Sequence, residues 1–186
     1  YTADNTGIML FSGQRFVDSH RHHSHMAGLY PFDTIDFTGK EGRRVVENTY
    51  RTWIEKGPGL WSGWSVLWAS ILHTHIGHPD AAVFMLHAWE TFFTNPGYGS
   101  RHDVYHPGFS LMCRGTRMGV SGDAHGEEIM QMDGAMAAVT AIMELLVHDV
   151  NGKTEYFRGC PESWQKVSFR KIRLADGRSV SAERGN

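Results

Sequence analysis

The sequence has little of what marks the specialised classes of protein. It contains only two cysteines, Cys113 and Cys160, in 186 residues. Two cysteines exclude a disulfide framework and leave one bridge or none. No apolar run reaches the roughly 18 residues that a transmembrane helix needs, so we expect no membrane partner. The formal net charge is only −2, which gives no reason to expect a nucleic-acid partner.

Several motifs of catalysis and cofactor binding are also missing. The chain has no βαβ alternation and no glycine-rich phosphate loop. It has no G-x-S-x-G, no H-E-x-x-H and no C-x-x-C. We therefore expect no cofactor and no metal. The chain opens with Tyr1-Thr2-Ala3, without an initiator methionine or a basic-then-apolar leader, so we expect a mature or excised piece of a longer product.

What is present indicates a globular, mainly helical protein. Hydrophobic residues make up 41% and charged residues 20% of the chain, enough for one domain with a core. Helical spacing of apolar residues recurs in four segments, which are 38–56, 61–76, 79–93 and 129–147. Thr38 and Glu41 match a capping box at the start of the first segment. The 96–128 segment between the last two helices shows little period and is predicted to be a long, functional loop.

The pattern changes after residue 152. Apolar and polar residues alternate over 153–186, and Asp176-Gly177 is typical of a hairpin turn. We therefore divide the chain into a helical part, 1–150, and a β-rich part, 151–186.

The most distinctive stretch is Ser19-His20-Arg21-His22-His23-Ser24-His25. Its spacing allows three interpretations. The first is a polar loop or helix start, capped by Ser19 or Ser24, whose rings bond to nearby backbone. The second is a metal site, because His22 and His25 would share one face of a helix. The third is a sugar site, in which several imidazoles and a guanidinium bond ring hydroxyls.

Three other residues need an interpretation. His73 and His75 are two apart, so on a helix they face different sides and do not form a ligand pair. Asp133 falls in the first turn of the last helix, where a negative charge is favourable for that reason alone.

Three patches, in this order, resemble glycoside hydrolase family 95, the inverting α-L-fucosidases and their L-galactosidase relatives. Residues 20–31 are similar to the family's H-R-H-x-S-H-L-x-G-L-Y-P stretch, and residues 63–68 to its G-W-S-x-x-W helix. Residues 131–134, Gln-Met-Asp-Gly, are similar to the start of its Q-x-D-G-N-F-G motif. The first patch is long and specific, and the resemblance covers about residues 14–186.

The resemblance implies a fold and a set of candidate site residues. The fold is the C-terminal portion of an (α/α)6 toroid, followed by the start of a β-sandwich. The aspartate of Q-x-D-G belongs to the water-activating side of the family's site, a catalytic role that falls here on Asp133. The candidate substrate contacts are His20, Arg21, His22, His25, Trp64 and Gln131.

Two departures from the family bear on function. Ala135-Met136-Ala137 stands where the family has N-F-G, beside Asp133. The family's general acid, a glutamate, lies ahead of the histidine stretch. We therefore expect a fragment of a periplasmic or extracellular glycoside hydrolase, acting on α-L-fucoside-like or related L-sugar linkages in glycans and inactive alone. Apolar helical faces left open in such a fragment favour a homodimer.

Two other functions stay open from the sequence. One is a carbohydrate-binding or structural helical module without catalysis, which the change after Asp133 favours. The other is a histidine-dependent metalloprotein.

Overall fold

The computed structural model describes residues 1–105, 109–112, 130–150 and 152–185. Within these ranges the chain forms four α-helices and three two-stranded antiparallel sheets. The helices are α1 (Lys40–Lys56), α2 (Gly63–Ile76), α3 (Pro79–Phe92) and α4 (Met132–Leu146). The strands are β1 (Ala3–Asp4), β2 (Gly7–Ile8), β3 (Val147–Val150), β4 (Lys153–Tyr156), β5 (Val167–Arg173) and β6 (Ser179–Arg184). The expectation of a mainly α chain with a β-rich end is confirmed at this level, while the toroid and the β-sandwich stay predictions.

Helix α2 is the centre of the molecule. Its sequence is apolar almost all round, and all its residues except Trp64 and Ile76 are buried. Both α3 and α4 pack against it. Gly77 ends the helix in the left-handed conformation, with φ of 96°, as its sequence position predicts. In the described part of the chain, no helix combines the length and the apolar character needed to cross a bilayer.

The start of α1 differs from its prediction. The N-cap residue is Gly39, and no capping box forms between Thr38 and Glu41. Instead, the Oδ1 atom of Asp36 accepts hydrogen bonds from the Thr38 amide (2.9 Å) and hydroxyl (2.6 Å). The Thr38 hydroxyl, which the capping box would have used, is therefore bonded to the short side chain of Asp36 instead. The predicted end is confirmed, because Gly57 has a positive φ of 66°.

The histidine stretch does not open an α-helix. Its only regular structure is a 3₁₀ turn over Ser24–Met26, and neither Ser19 nor Ser24 caps it. Of the two forms of the first interpretation, the structure shows the polar loop and not the start of an α-helix.

Three hydrophobic clusters hold the described chain together. The smallest joins α2 to α4 through Leu67, Ala137 and Ala138. Two larger clusters make up the rest. The larger joins α1, α2 and the histidine stretch, with Trp53, Trp61 and Leu72 almost fully buried. The second joins α3 and α4 to the β-rich segment through Leu145, Phe157 and other residues.

The β-rich segment follows its alternating pattern. β5 pairs with β6 around Asp176-Gly177, where Gly177 has φ of 88°, so the predicted hairpin is confirmed. Strands begin earlier than expected, because β3 follows α4 directly and pairs with β4. The Cys160 thiol is free and buried, and donates to the Leu145 carbonyl at 3.2 Å, whereas Cys113 lies outside the described residues.

The long loop predicted over 96–128 is described only at 96–105 and 109–112. There it forms turns and isolated β-bridges, one of which joins Arg101 to Met130.

Candidate functional site

The N-terminal end of α2 is where the three sequence patches meet, and Ser65 anchors the first of them. The Ser65 carbonyl accepts a hydrogen bond from His23 Nε2 at 2.9 Å. Its hydroxyl accepts from the Ser62 amide at 3.0 Å and donates to the Arg21 carbonyl. Because Ser65 and its partners are largely buried, these bonds fix the histidine stretch against the start of the helix.

Gln131 anchors the third patch to the same place. Its Oε1 accepts a hydrogen bond from the Trp64 amide at 2.7 Å, which satisfies one of the free N–H groups at the start of α2. The backbone N–H of Gln131 donates to the Ser100 carbonyl at 3.0 Å. This buried side chain therefore joins α4 to α2, and any contact it makes with substrate is additional to that bond.

His23 is the ring that fits the polar-loop interpretation. Trp53 Nε1 donates to His23 Nδ1 at 3.1 Å, so Nε2 carries the proton that is donated to Ser65. Complete burial lowers the pKa of His23 to about 3. Both nitrogens are occupied and the ring is neutral, which makes His23 a structural residue.

His25 is buried but differently placed. Its ring stacks on Phe16 with centroids 4.2 Å apart. Neither Nδ1 nor Nε2 has a hydrogen-bond partner among the described residues. Burial, with a smaller effect from the charge of His20, lowers the pKa of His25 to about 4. Both nitrogens are buried from solvent in this structure, so they are closed to a ligand as the chain stands, and the role of His25 as a sugar contact stays a prediction.

His20, Arg21 and His22 are exposed on the same segment. The His22 amide donates to His20 Nδ1 at 3.0 Å, and the two ring centroids lie 5.4 Å apart. Burial lowers the pKa of His22, helped by Arg21 and His20, while the Asp133 carboxylate acts in the opposite direction. Asp133 lies two residues after Gln131, which is bonded to the Trp64 amide, and the histidine stretch is bonded to the next residue of α2, Ser65.

The second patch and Asp133 complete the surface. Asp133 is exposed in the first turn of α4, as its position predicted. Trp64 is half-buried, and its ring centroid lies 5.7 Å from that of Trp68. The structure thus gathers the predicted site residues around one helix end.

Sequence reasoning missed one nearby pair. His102 Nδ1 lies 2.6 Å from the Asp103 carboxylate, and the His102 carbonyl accepts from the Gly63 amide at 3.1 Å. The charge of His102 also contributes to lowering the pKa of His22. The only sequence signal was an adjacent His-Asp pair in the 96–128 loop, which lacks period.

This surface has the groups that polyhydroxylated ligands need. An exposed carboxylate can accept a proton, and neutral imidazoles can donate and accept hydrogen bonds at once. Comparison with protein families finds that residues 13–146 match the model of the glycosyl hydrolase family 95 catalytic domain. The chain belongs to this family.

The matched range covers well over half of the chain and includes all three patches. Family 95 membership makes the chain a glycoside hydrolase in general terms, with a glycan as substrate. A comparison with curated proteins finds no match. The family's matched range ends at the last residue of α4, so the β-rich segment lies beyond it.

The metal interpretation of the histidine stretch has no support among the described residues. The one described group with metal-ligand spacing is His75, Glu144 and His148, towards the C-terminal ends of α2 and α4.

Proposed function

We propose that this family 95 chain forms the water-activating and sugar-contacting side of an inverting glycosidase for α-L-fucoside-like or related L-sugar linkages in glycans. The observation that carries the proposal is the convergence of Asp133 with the histidine stretch at one end of α2. Location in the periplasm or cell exterior, where such glycans are met, is part of the same proposal.

Inverting hydrolysis divides the work between two groups. One acid protonates the leaving oxygen, and one base activates a water on the opposite face of the sugar. Asp133 suits the second role because its carboxylate is exposed and carried by a helix whose first turn is fixed through Gln131. His25 and the exposed residues of the histidine stretch then bond the ring hydroxyls.

The general acid is proposed to come from outside residues 1–186. The resemblance places the family's glutamate ahead of the histidine stretch, and residues 1–19 contain two aspartates but no glutamate. We therefore expect no turnover of aryl glycosides by the isolated 186-residue chain. Turnover above background would show that the acid lies within the chain.

The Asp133→Asn substitution tests the role of the carboxylate in the natural full-length protein. We expect kcat on an aryl α-L-fucoside or L-galactoside to fall by at least about 100-fold, because an amide cannot accept the proton of the attacking water. The measurement is steady-state release of the aryl group, with KM determined separately.

Asp80→Asn is the matched control. Asp80 is an exposed aspartate in the first turn of α3, so its loss removes a similar helix-terminal charge without touching the candidate site. Activity should be unchanged in this variant. If the two substitutions changed kcat equally, Asp133 would be only a favourable charge at the start of α4.

A second candidate is a binding module that keeps the fold and lacks hydrolysis. The observation that favours it is Met136, which replaces the family's aromatic residue one helical turn after Asp133 and is 63% exposed. Sugar binding by the full-length protein, with no release from aryl α-L-fucoside, aryl L-galactoside or other aryl glycosides, would select this candidate.

A further inference from the structure

A second polar cluster lies away from the candidate glycosidase site. His75 belongs to the last turn of α2, Glu144 to the last turn of α4, and His148 to β3. His75 is ten positions after Ser65, which corresponds to about 15 Å along the axis of α2. The cluster is therefore a separate site from the sugar-contacting surface.

The three side chains converge on one point. Glu144 Oε2 lies 3.1 Å from His75 Nε2 and 3.3 Å from His148 Nδ1. The candidate ligand atoms all lie within 4.8 Å of one another. The two imidazoles meet edge to face, with centroids 4.3 Å apart.

The surrounding structure holds these side chains in place. His75 and His148 are only 2% and 6% exposed. The Arg158 guanidinium donates to the His75 carbonyl at 3.0 Å and also to Glu155 at 3.0 Å. Glu155 is the strand partner of His148 in the β3–β4 pair. These bonds hold the backbone of His75 and the β3–β4 pair that carries His148.

The other nitrogen of His75 faces an outer carboxylate. Asp33 Oδ1 lies 3.8 Å from His75 Nδ1. Metal-binding histidines commonly have a carboxylate on the nitrogen that does not bind the ion, where it sets the tautomer and strengthens the ligand. The same cluster borders a cleft of about 910 Å³, lined in part by Asp33, His75 and His148. Water therefore has access to its outer side.

We propose that His75, Glu144 and His148 bind a zinc ion, with a water from the cleft as fourth ligand. Zinc prefers two or three imidazoles with a carboxylate, at about 2.0 to 2.2 Å from the metal. At those lengths a tetrahedron places neighbouring ligand atoms about 3.3 Å apart. The two Glu144 distances agree with this value. Because two of the three ligands are nitrogens, the site does not suit Mg²⁺ or Ca²⁺, which prefer oxygen ligands.

The zinc would act on the fold. It would join the ends of α2 and α4 to β3. Without the ion, these three elements are joined at this point by Glu144, which accepts hydrogen bonds from the imidazole N–H groups of His75 and His148. The ion replaces those two protons and is stabilising because the unfolded chain lacks the site. The spacing rules applied to the sequence could not find it, because Glu144 is 69 residues from His75.

The test is zinc binding to the natural full-length protein after chelator treatment. We expect one zinc per chain by calorimetry and by elemental analysis, and an increase of about 5 °C in Tm at saturating zinc. Cobalt(II) in place of zinc should give the intense visible absorption of a four-coordinate ion. Binding of less than 0.2 zinc per chain, roughly the level of contamination, or an octahedral cobalt spectrum, would overturn the proposal.

Variants assign the ion to its ligands. Glu144→Gln keeps a hydrogen-bond acceptor for both rings but loses the anionic ligand, so affinity should fall by more than about 100-fold. Asp33→Asn should weaken binding by about 10-fold, because it removes only the outer carboxylate. His87→Gln is the matched control, since His87 is exposed and lies 3.6 Å from Glu90 in another His–Glu pair.

The outcomes are distinct from those of the glycosidase assay. Zinc binding unchanged in Glu144→Gln, or lost on His22→Ala, would place the ion elsewhere and overturn the proposal. If Glu144→Gln does not fold, the stoichiometry and the cobalt spectrum of the unsubstituted protein still decide it.

Discussion

Three of the histidines are kept neutral by burial in the core. His23, His25 and His73 lie in the core and have pKa values lowered by burial to about 3, 4 and 4 respectively. Each stays neutral in the folded protein at pH values where it would be protonated in the unfolded chain. The unfolded state then binds more protons, so protonation favours unfolding.

The stability of the protein should therefore fall in mild acid. The contribution of these histidines is complete above pH 6.5 and is lost as pH falls towards their folded pKa values. Between pH 6.5 and 5 the loss is about 2 kcal/mol for each fully buried ring, which is an upper value. The measurement is the free energy of unfolding in urea at pH 7 and pH 5, with a chelator present.

His25→Phe isolates one of the three. Phenylalanine keeps the stacking on Phe16 and removes the titratable group, so the loss between the two pH values should shrink by about 2 kcal/mol. His87→Phe, at an exposed position, should leave the loss unchanged. The same pH dependence in all three proteins would contradict the assignment.

Single residues were predictable only where local geometry decided them. Asp133 and Gly77 follow from their helix positions, and the division between His73 and His75 is confirmed, since His73 contacts Trp53 and His75 contacts Glu144. Which rings of the histidine stretch turn inward was not predictable. That choice depends on Ser65, 42 residues from His23 in sequence.

At the scale of elements, helix starts depend on competition between short polar side chains. The capping box expected at α1 is absent because the Thr38 hydroxyl donates its hydrogen bond to Asp36. A capping box that was not expected forms at α2 between Ser62 and Ser65. A serine in place of the usual glutamate hides this box from the sequence pattern.

Gly63 is the residue that lets α2 approach its neighbours. A Cβ atom there would overlap the Arg101 carbonyl oxygen and lie 2.8 Å from Gln131 Oε1. Gly63→Ala should therefore destabilise the protein by about 1–3 kcal/mol, because the backbone of the 100–102 segment must move. Thermal unfolding measures the effect.

Gly39→Ala is the control for this prediction. Gly39 is the N-cap of α1, with φ of −76°, and a Cβ atom there meets nothing within 4 Å. Its substitution should cost no more than about 1 kcal/mol, because only the poorer N-cap propensity of alanine acts there. A similar small change at Gly63 would mean that the three patches are joined less tightly than the contacts indicate.

At the scale of the whole molecule, α4 presents an apolar face to solvent. Met132, Met136, Val139 and Ile142 are each at least 50% exposed. Such a stripe is unusual on a monomer and indicates an interaction surface. Further helices of the predicted toroid would pack on a stripe of this kind, and in the 186-residue chain alone the same stripe favours the predicted homodimer.

The 186-residue chain should therefore self-associate through α4. Sedimentation velocity should give a dimer for the unsubstituted chain and a monomer for the double variant Met136→Lys, Val139→Lys, because two charges cannot be buried in an apolar interface. Ile54→Lys, at a 43% exposed position on α1, should remain dimeric. A monomeric unsubstituted chain would contradict the prediction.

The sequence predicted which segments are helical and which are strands better than how they assemble. Period and turn residues are local properties, so the helices and the Asp176-Gly177 hairpin could be found from them. The joining of the patches through Ser65 and Gln131 could not, because it depends on contacts between distant residues. The resemblance to family 95 grouped the three patches into one candidate site, which the periodicity of the sequence does not do.

The passage from α4 into β3 occurs between Leu146 and Val147, with no residue between helix and strand. The Phe157 and Gly159 amides also donate to the Leu146 and Leu145 carbonyls, so the β-rich segment is bonded to the end of α4 as well as continuous with it. Grafting this segment onto another helical domain, in evolution or in the laboratory, would require the end of α4 to travel with it.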